Sequence, residues 1–267
     1  MTCPVCGGVL EKGIREWHLE CGNCSYEGST LEPHIVGHAP DEVDESLREE
    51  GLLALRRANF RKLARQLRTL VRVEGDARPK LLDVGSAHGW FIDEMAADFS
   101  VDGIEPDEVI ADASIARGLP VRKGFFPDAL HADERFDVIS FNDVLEHIPE
   151  INGALASCVD HLSTRGIVMV NAPSRRGVIY LVSRFLARAG LGGSFERMWQ
   201  KDFPSPHVHY LDTSSMKALA DRHHLDLIQR TTLPAISSRG LYARVRLGKN
   251  VSVAKAVGLT LVIGLAA

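Results

Sequence analysis

Four cysteines fall within the first 24 residues as two pairs, Cys3-Pro-Val-Cys6 and Cys21-Gly-Asn-Cys24, with fourteen residues between the pairs. Each pair is a C-x-x-C knuckle that can present two thiolates to one metal. Four thiolates satisfy Zn²⁺ in a closed tetrahedron that keeps no open position for catalysis. Gly7, Gly8 and Gly22 let the backbone beside the pairs turn its amides toward the sulfurs. Disulfides or redox dithiols are the competing reading, but a doubled knuckle in a chain expected in the reducing cytoplasm favours a structural zinc. Residues 13–20 alternate as a strand does, so Trp17 or Leu19 would cover the metal and His18 is read as a strand residue. Cys158, remote from the others in a helical stretch, is read as a small buried side chain.

A second constellation begins at Lys80, where Lys80-Leu-Leu-Asp83-Val-Gly85-Ser86-Ala87-His88-Gly89-Trp-Phe91 reads as an apolar strand, a glycine turn and a helix start. Gly85 and Gly89 let the backbone approach a ligand closely, and the turn delivers amides at a helix N-terminus. A second strand, Val101–Ile104, ends at Glu105, twenty-two residues after Asp83. An acidic side chain there is placed to accept both ribose hydroxyls of an adenosine-containing ligand. A nicotinamide dehydrogenase uses a similar turn, but Gly85-x-x-x-Gly89 lacks the third glycine at that spacing.

Three segments together carry a family resemblance: Asp83 to Gly89, Gly103-Ile-Glu105-Pro106, and Phe136 to Ile148 with its Asn142-Asp-Val-Leu-Glu146-His147 core. They resemble the successive motifs of class I S-adenosylmethionine-dependent methyltransferases of the ubiquinone-biosynthesis type, from about Lys80 to Thr232. The resemblance implies a Rossmann-like α/β fold, a mostly parallel sheet with helices on both faces, and S-adenosylmethionine as cofactor. It further implies that Asp83 and the turn residues Gly85, Ser86 and Gly89 lie near the methionine moiety. Glu105, followed by Pro106, would take the ribose, Gly124 and Phe125 would flank the adenine, and Asn142 would meet the amino-acid end. Two departures stand out. Ala87 replaces the usual middle glycine, and aromatic Phe125-Phe126 stands where an acidic residue often meets the adenine, so stacking replaces part of that contact.

Methyl transfer from a sulfonium mainly requires alignment and desolvation, and a base helps where the acceptor is a hydroxyl. His147, after the fourth strand, is one candidate base; capping or packing at a helix start is the alternative. His207 and His209 in Pro204-Ser-Pro-His207-Val-His209-Tyr210 alternate, so they share a face if extended. Similar His-x-His-Tyr runs in related enzymes make them candidates for the acceptor pocket, with a structural role equally open.

The elements that must position these residues divide the chain as 1–40, zinc ribbon and linker; 41–78, a helical linker or lid; and 79–267, the catalytic domain. The helix is expected from about Asp44 to Val73 on the recurrence of Leu52, Leu55, Phe60, Leu63, Leu67 and Leu70. An insertion at about 174–210 follows the fifth strand, Gly166 to Asn171, and mixes apolar residues with Arg175, Arg176, Arg184 and Arg188. Beyond Asp226 there is no acidic residue, while six basic ones precede the apolar stretch Ala256–Ala267. A stretch of twelve residues falls short of the roughly 20 needed to span a bilayer, so insertion and tail suit either a peripheral contact with the inner membrane face or ordinary packing. A closing strand is expected at Leu241–Leu247 or not at all.

The formal charge of −4 hides an asymmetry, because residues 1–50 carry three basic side chains against eleven acidic ones. Phosphate binding needs the opposite sign, which counts against nucleic acid as partner and against an RNA base methyltransferase using the ribbon on RNA. No apolar leader precedes the ribbon, so the expected location is the cytoplasm. The expected acceptor is small or lipid-linked (a sugar, a glycan intermediate or a quinone-like lipid), methylated at oxygen. A non-catalytic interaction protein on a degenerate scaffold is the rival of another class, kept open by Ala87 and His88.

Overall fold

The computed structural model describes residues 1–34, 45–72 and 77–235. The chain divides into two compact units, Met1–Gly37 with Val71–Arg230 and His38–Leu70 with Thr231–Ala267. In the second unit α1 spans Glu45–Leu70, close to the helix expected from the leucine spacing. Lys62 Nζ and Asn59 Nδ2 donate to the carbonyls of Thr232 and Pro234. The expected strand at Leu241–Leu247 and the apolar tail lie outside the described residues.

The first unit holds a five-stranded parallel sheet of β4 (Lys80–Val84), β5 (Ser100–Glu105), β6 (Val121–Lys123), β7 (Phe136–Asn142) and β8 (Leu162–Asn171). Its order is β6-β5-β4-β7-β8, so the chain starts in the middle and reverses direction of growth between β6 and β7. In such a sheet the carboxyl ends of β4 and β7 flank the crevice where ligands bind. β4 and β7 are apolar on both faces, as central parallel strands must be, and Leu81, Leu82, Val138, Ile139 and Phe141 are fully buried. Helices α2 (Trp90–Met95), α3 (Glu108–Ala116) and α4 (Ile151–His161) connect the strands. Asp107 caps α3 by accepting from the amides of Val109 and Ile110, which fixes where the chain leaves β5.

The ribbon forms β1 (Leu10–Lys12), β2 (His18–Cys21) and β3 (Glu27–Ser29), all antiparallel. Its sheet takes a fourth strand from the insertion, β9 (His209–Tyr210), which pairs with β3 as Glu27↔Tyr210 and Gly28↔His209. Cys3, Val5, Cys21 and Tyr26 belong to the same buried cluster as Leu82, Ile139 and Leu219. The ribbon is therefore built into the first unit.

The rest of the insertion, α5 (Val178–Arg188) and α6 (Gly193–Met198), packs on the ribbon through aromatic contacts. Trp17 stacks on Phe195 at 5.8 Å between ring centroids and meets Trp199 edge-on at 5.6 Å. Beneath them Glu27 is almost completely buried among donors: Arg175 Nε donates to it at 3.0 Å, with Arg184, the Tyr180 hydroxyl and His18 Nε2 also bonded. These partners outweigh desolvation and hold the Glu27 carboxyl down at about 2. Helix α7 (Thr213–Arg222) closes the described part of the unit behind a capping box made by Asp212 and Ser215.

Candidate functional site

The turn after β4 is held open by its own backbone. Gly85 and Gly89 adopt φ of 68° and 72°, the left-handed region that glycine enters without cost. A Cβ on Gly85 would come within 2.6 Å of Val144, and one on Gly89 within 2.2 Å of Leu119. Ala87 also sits in the left-handed region, at φ 45°, which explains why the family pattern has glycine there. Two bonds hold Ala87 in place: its amide donates to Glu105 Oε2 at 2.8 Å and its carbonyl accepts from Ser114 Oγ at 2.9 Å. Arg117 adds bonds to the carbonyl of His88 and, at 2.6 Å, to Asp93.

Glu105 therefore ends β5 against the turn. Its second oxygen accepts from the amide of Asp107 at 2.9 Å, so both oxygens are oriented while their remaining lone pairs stay available. Burial raises its pKa, opposed by these two amide bonds. Pro106 is half-buried beside it. Gly124, at φ 131°, donates its amide to the carbonyl of Glu105 and is followed by Phe125, which is half exposed. These residues thus converge on one edge of the crevice.

Asp83 is the most buried charge-bearing group of the turn, only 2% exposed. It accepts from Ser140 Oγ at 2.8 Å and from Asn142 Nδ2 at 3.3 Å, reaching across to β7. Burial pushes its carboxyl up to about 7, against those two bonds and with help from the charge of Glu105. Asp83 consequently aims the Asn142 amide, whose Oδ1 is buried without a partner. The Ser86 hydroxyl is likewise buried and unpartnered. Two orphaned polar atoms beside an open glycine turn fit a site completed by a polar ligand.

On the other side of Asn142 the chain makes a short 3-10 turn, Leu145–His147. His147 Nδ1 donates to the carbonyl of Pro206 at 2.9 Å, which leaves Nε2 as an acceptor. Burial lowers its pKa, partly offset by the backbone of Pro206 and Ser205. His207 lies 4.8 Å away between ring centroids. Both of its nitrogens are engaged: Nε2 accepts from the Gln200 amide at 2.9 Å, and Nδ1 donates at 3.3 Å to the Tyr210 hydroxyl, which itself donates to the carbonyl of Met198. His209 is more fully committed, with Tyr26 Oη donating to Nδ1 at 2.6 Å and Nε2 donating to the carbonyl of Ile148 at 2.8 Å. Burial lowers His207 to about 3 and His209 to about 4, so both stay neutral.

Sequence reasoning passed over Glu146. Its side chain is completely buried, neither oxygen has a partner, and burial with nearby Asp143 raises its pKa well above the carboxylate range. A ligating atom each from Glu146, His147 and His207 lie within 4.8 Å of one another. The only sequence signal was its place beside His147. Tyr26, two residues after Cys24, was also missed; it ties the ribbon to His209.

In the ribbon the four sulfurs lie within 4.8 Å of one another, with Cys3–Cys24 at 3.6 Å and Cys6–Cys21 at 3.5 Å. A zinc tetrahedron with bonds of about 2.3 Å separates its sulfurs by about 3.8 Å, so the cluster fits a zinc ribbon. No disulfide joins any of them. Gly7, at φ 76°, closes the first knuckle by donating to the carbonyl of Cys3.

Comparison with known proteins agrees with this architecture. A stretch of 95 residues is 34% identical to the ubiquinone biosynthesis O-methyltransferase of Paramagnetospirillum magneticum, covering 33% of this chain and 38% of that protein. The chain thus spans about two fifths of the length of the curated relative it matches. Among solved structures, the YcgJ protein of Bacillus subtilis superposes with a TM-score of 0.51 at 16% identity, over 76% of this chain and 83% of that one. A chain from a Haloferax volcanii complex between a methyltransferase activator and a methyltransferase gives 0.54 at 15% identity, over 74% and 81%. Both likenesses concern the fold. The methyltransferase domain family matches residues 55–230, about two thirds of the sequence, and the chain belongs to that family.

Proposed function

We propose that this chain transfers a methyl group from S-adenosylmethionine to a small or lipid-linked acceptor, such as a sugar, a glycan intermediate or a quinone-like lipid, at oxygen. The observation that carries the proposal is the Glu105 carboxylate fixed against the Gly85–Gly89 turn, with the orphaned Ser86 hydroxyl and Asn142 carbonyl oxygen alongside. When bound, S-adenosylmethionine supplies an activated methyl on a sulfonium whose departure leaves a neutral thioether.

The chain's own residues do the rest. Glu105 has lone pairs left for ribose hydroxyls after serving Ala87 and Asp107. Pro106 and Gly124 wall that edge, and exposed Phe125 offers a ring for the adenine. Gly85 and Gly89 admit the ligand to the backbone, and Asp83 aims Asn142 at its amino-acid end. Of the three candidate histidines, His147 alone keeps a nitrogen free to take the acceptor hydroxyl's proton, at Nε2. His207 and His209 serve this reading as the neutral wall behind it. Cys3, Cys6, Cys21 and Cys24 hold a structural zinc that keeps β3 in place for β9. The relative's printed activity, an O-methyltransferase of ubiquinone biosynthesis, supports oxygen as the acceptor atom.

The test supplies methyl-labelled S-adenosylmethionine together with small-molecule and lipid extracts. Label in a fraction that yields methyl iodide with hydriodic acid is the expected result. Label confined to amines, or to RNA, would move the acceptor elsewhere, and no label in any fraction would count against catalysis.

A further inference from the structure

Helix α5 is built inside out. Its inward face carries Tyr180, Ser183, Ala187 and Arg184, the last bonded to Glu20 and Glu27 of the ribbon. Its outward face carries Val178 and Phe185, 70% and 72% exposed, with Leu181 and Val182 about half exposed between them. Positions 178, 181, 182 and 185 follow the i, i+3, i+4, i+7 rule of a single helical stripe. Leu191, just past the helix, is also exposed, at 66%. A soluble amphipathic helix has the reverse arrangement, and a contiguous exposed stripe of this kind marks a contact surface.

We propose that this stripe seats α5 in the headgroup and acyl boundary of an anionic lipid bilayer. Charge selects that occupant. Exposed Arg188 flanks the stripe at one end and Arg176 at the other, its Nε paired with Asp212 at 2.8 Å while its side chain stays 73% exposed, and no acidic residue occurs in the sequence between Ser174 and Phe195. An antiparallel second copy of the helix would set Arg188 against an Arg176 already paired with Asp212, and so would bring no free carboxylate to it. The chain beyond Asp226 is equally devoid of acids, so a cover drawn from it, basic or apolar, would leave Arg188 without a counter-charge. Anionic headgroups supply the missing sign while the acyl boundary accepts Val178, Leu181, Val182 and Phe185. No helix among the described residues is long and apolar enough to cross a membrane, so the contact is interfacial. The inference goes beyond the proposed methyl transfer and does not depend on it.

Co-sedimentation of the full chain with vesicles tests the assignment, comparing phosphatidylcholine alone with phosphatidylcholine and phosphatidylglycerol in about equal parts. The expected result is binding to the mixed vesicles, weakened by high salt, and about tenfold or more weaker partitioning for the double variant L181Q/F185Q. Both side chains are exposed, so the variant is expected to keep the wild-type melting temperature. Phe185→Trp supplies a second readout: it is expected to bind as wild type does and to shift its added emission to the blue on the mixed vesicles. Binding to neither vesicle would overturn the proposal. So would equal binding by L181Q/F185Q, which would assign the contact to another segment. A dimer in sedimentation velocity that Phe185→Gln dissolves, without lipid binding, would make a second copy the occupant and overturn it too.

Discussion

Replacing Asp83 by asparagine isolates what the buried carboxyl costs this fold. In the native chain its pKa stands at about 7, against an ordinary value of 3.8, because burial outweighs the bonds from Ser140 and Asn142. A carboxyl raised in the folded state binds its proton more tightly there than in the unfolded chain. Stability is then greatest below the unfolded value and falls as pH rises toward 7, levelling off above it. At about 1.4 kcal/mol per pH unit, the loss across that window is about 4 kcal/mol. Asparagine keeps an acceptor oxygen for Ser140 and Asn142 without titrating, at a cost of about 1 kcal/mol for altered hydrogen bonds. Urea unfolding at intervals from pH 5 to 9 is the assay. Wild type is expected to lose stability toward pH 8 more steeply than Asp83→Asn, which keeps only the contributions of groups such as Glu105 and Glu146, leaving the variant more stable by about 2 to 3 kcal/mol at pH 8. Parallel pH dependences for the two proteins would refute the reasoning.

Further outcomes follow from other parts of the structure. Ala87→Gly relieves a left-handed alanine and is expected to raise stability by about 1 kcal/mol, read by thermal unfolding. His147→Gln is expected to lower kcat with little change in cofactor affinity and to remove the acid limb of the pH profile. In wild type that limb is expected to lie below pH 6.5, since burial lowers the pKa of His147. Chelation of the zinc proposed for the ribbon, under reducing conditions, is expected to release β9 from β3, exposing Trp199 and shifting emission to the red; unchanged fluorescence would separate the ribbon from the insertion.

What could be read from the sequence was local. The C-x-x-C knuckles, the strand, glycine turn and helix start at Lys80–Phe91, and Glu105 at the end of a strand each show within a short window, because one element presents them. The helix expected at Asp44–Val73 emerges as Glu45–Leu70 for the same reason. Long-range partners left no such trace. Glu27 meets Tyr210 across 183 residues of chain, and nothing near either residue announces that pairing. The arginines of the insertion illustrate the difficulty: composition alone treats Arg175, Arg176, Arg184 and Arg188 alike, but Arg175 and Arg184 turn inward to Glu27 while Arg176 and Arg188 stay exposed. For His207 and His209 the sequence leaves a place in the acceptor pocket and a structural role equally open, and their hydrogen bonds commit both, whereas His147 keeps one nitrogen free. Asp83 and Glu146 were visible as acidic letters, but only packing makes one a support for Asn142 and the other a buried acid without a partner.

The central claim is that the turn after β4, together with Glu105, binds S-adenosylmethionine. Its most direct test is calorimetric titration of the zinc-loaded full chain with S-adenosylhomocysteine, in parallel with Glu105→Ala and Glu105→Gln. Binding at about micromolar affinity by wild type, lost in Glu105→Ala and intermediate in Glu105→Gln, which keeps one acceptor oxygen, is the predicted result. Failure of well-folded wild type to bind, or equal binding by all three proteins, would contradict it.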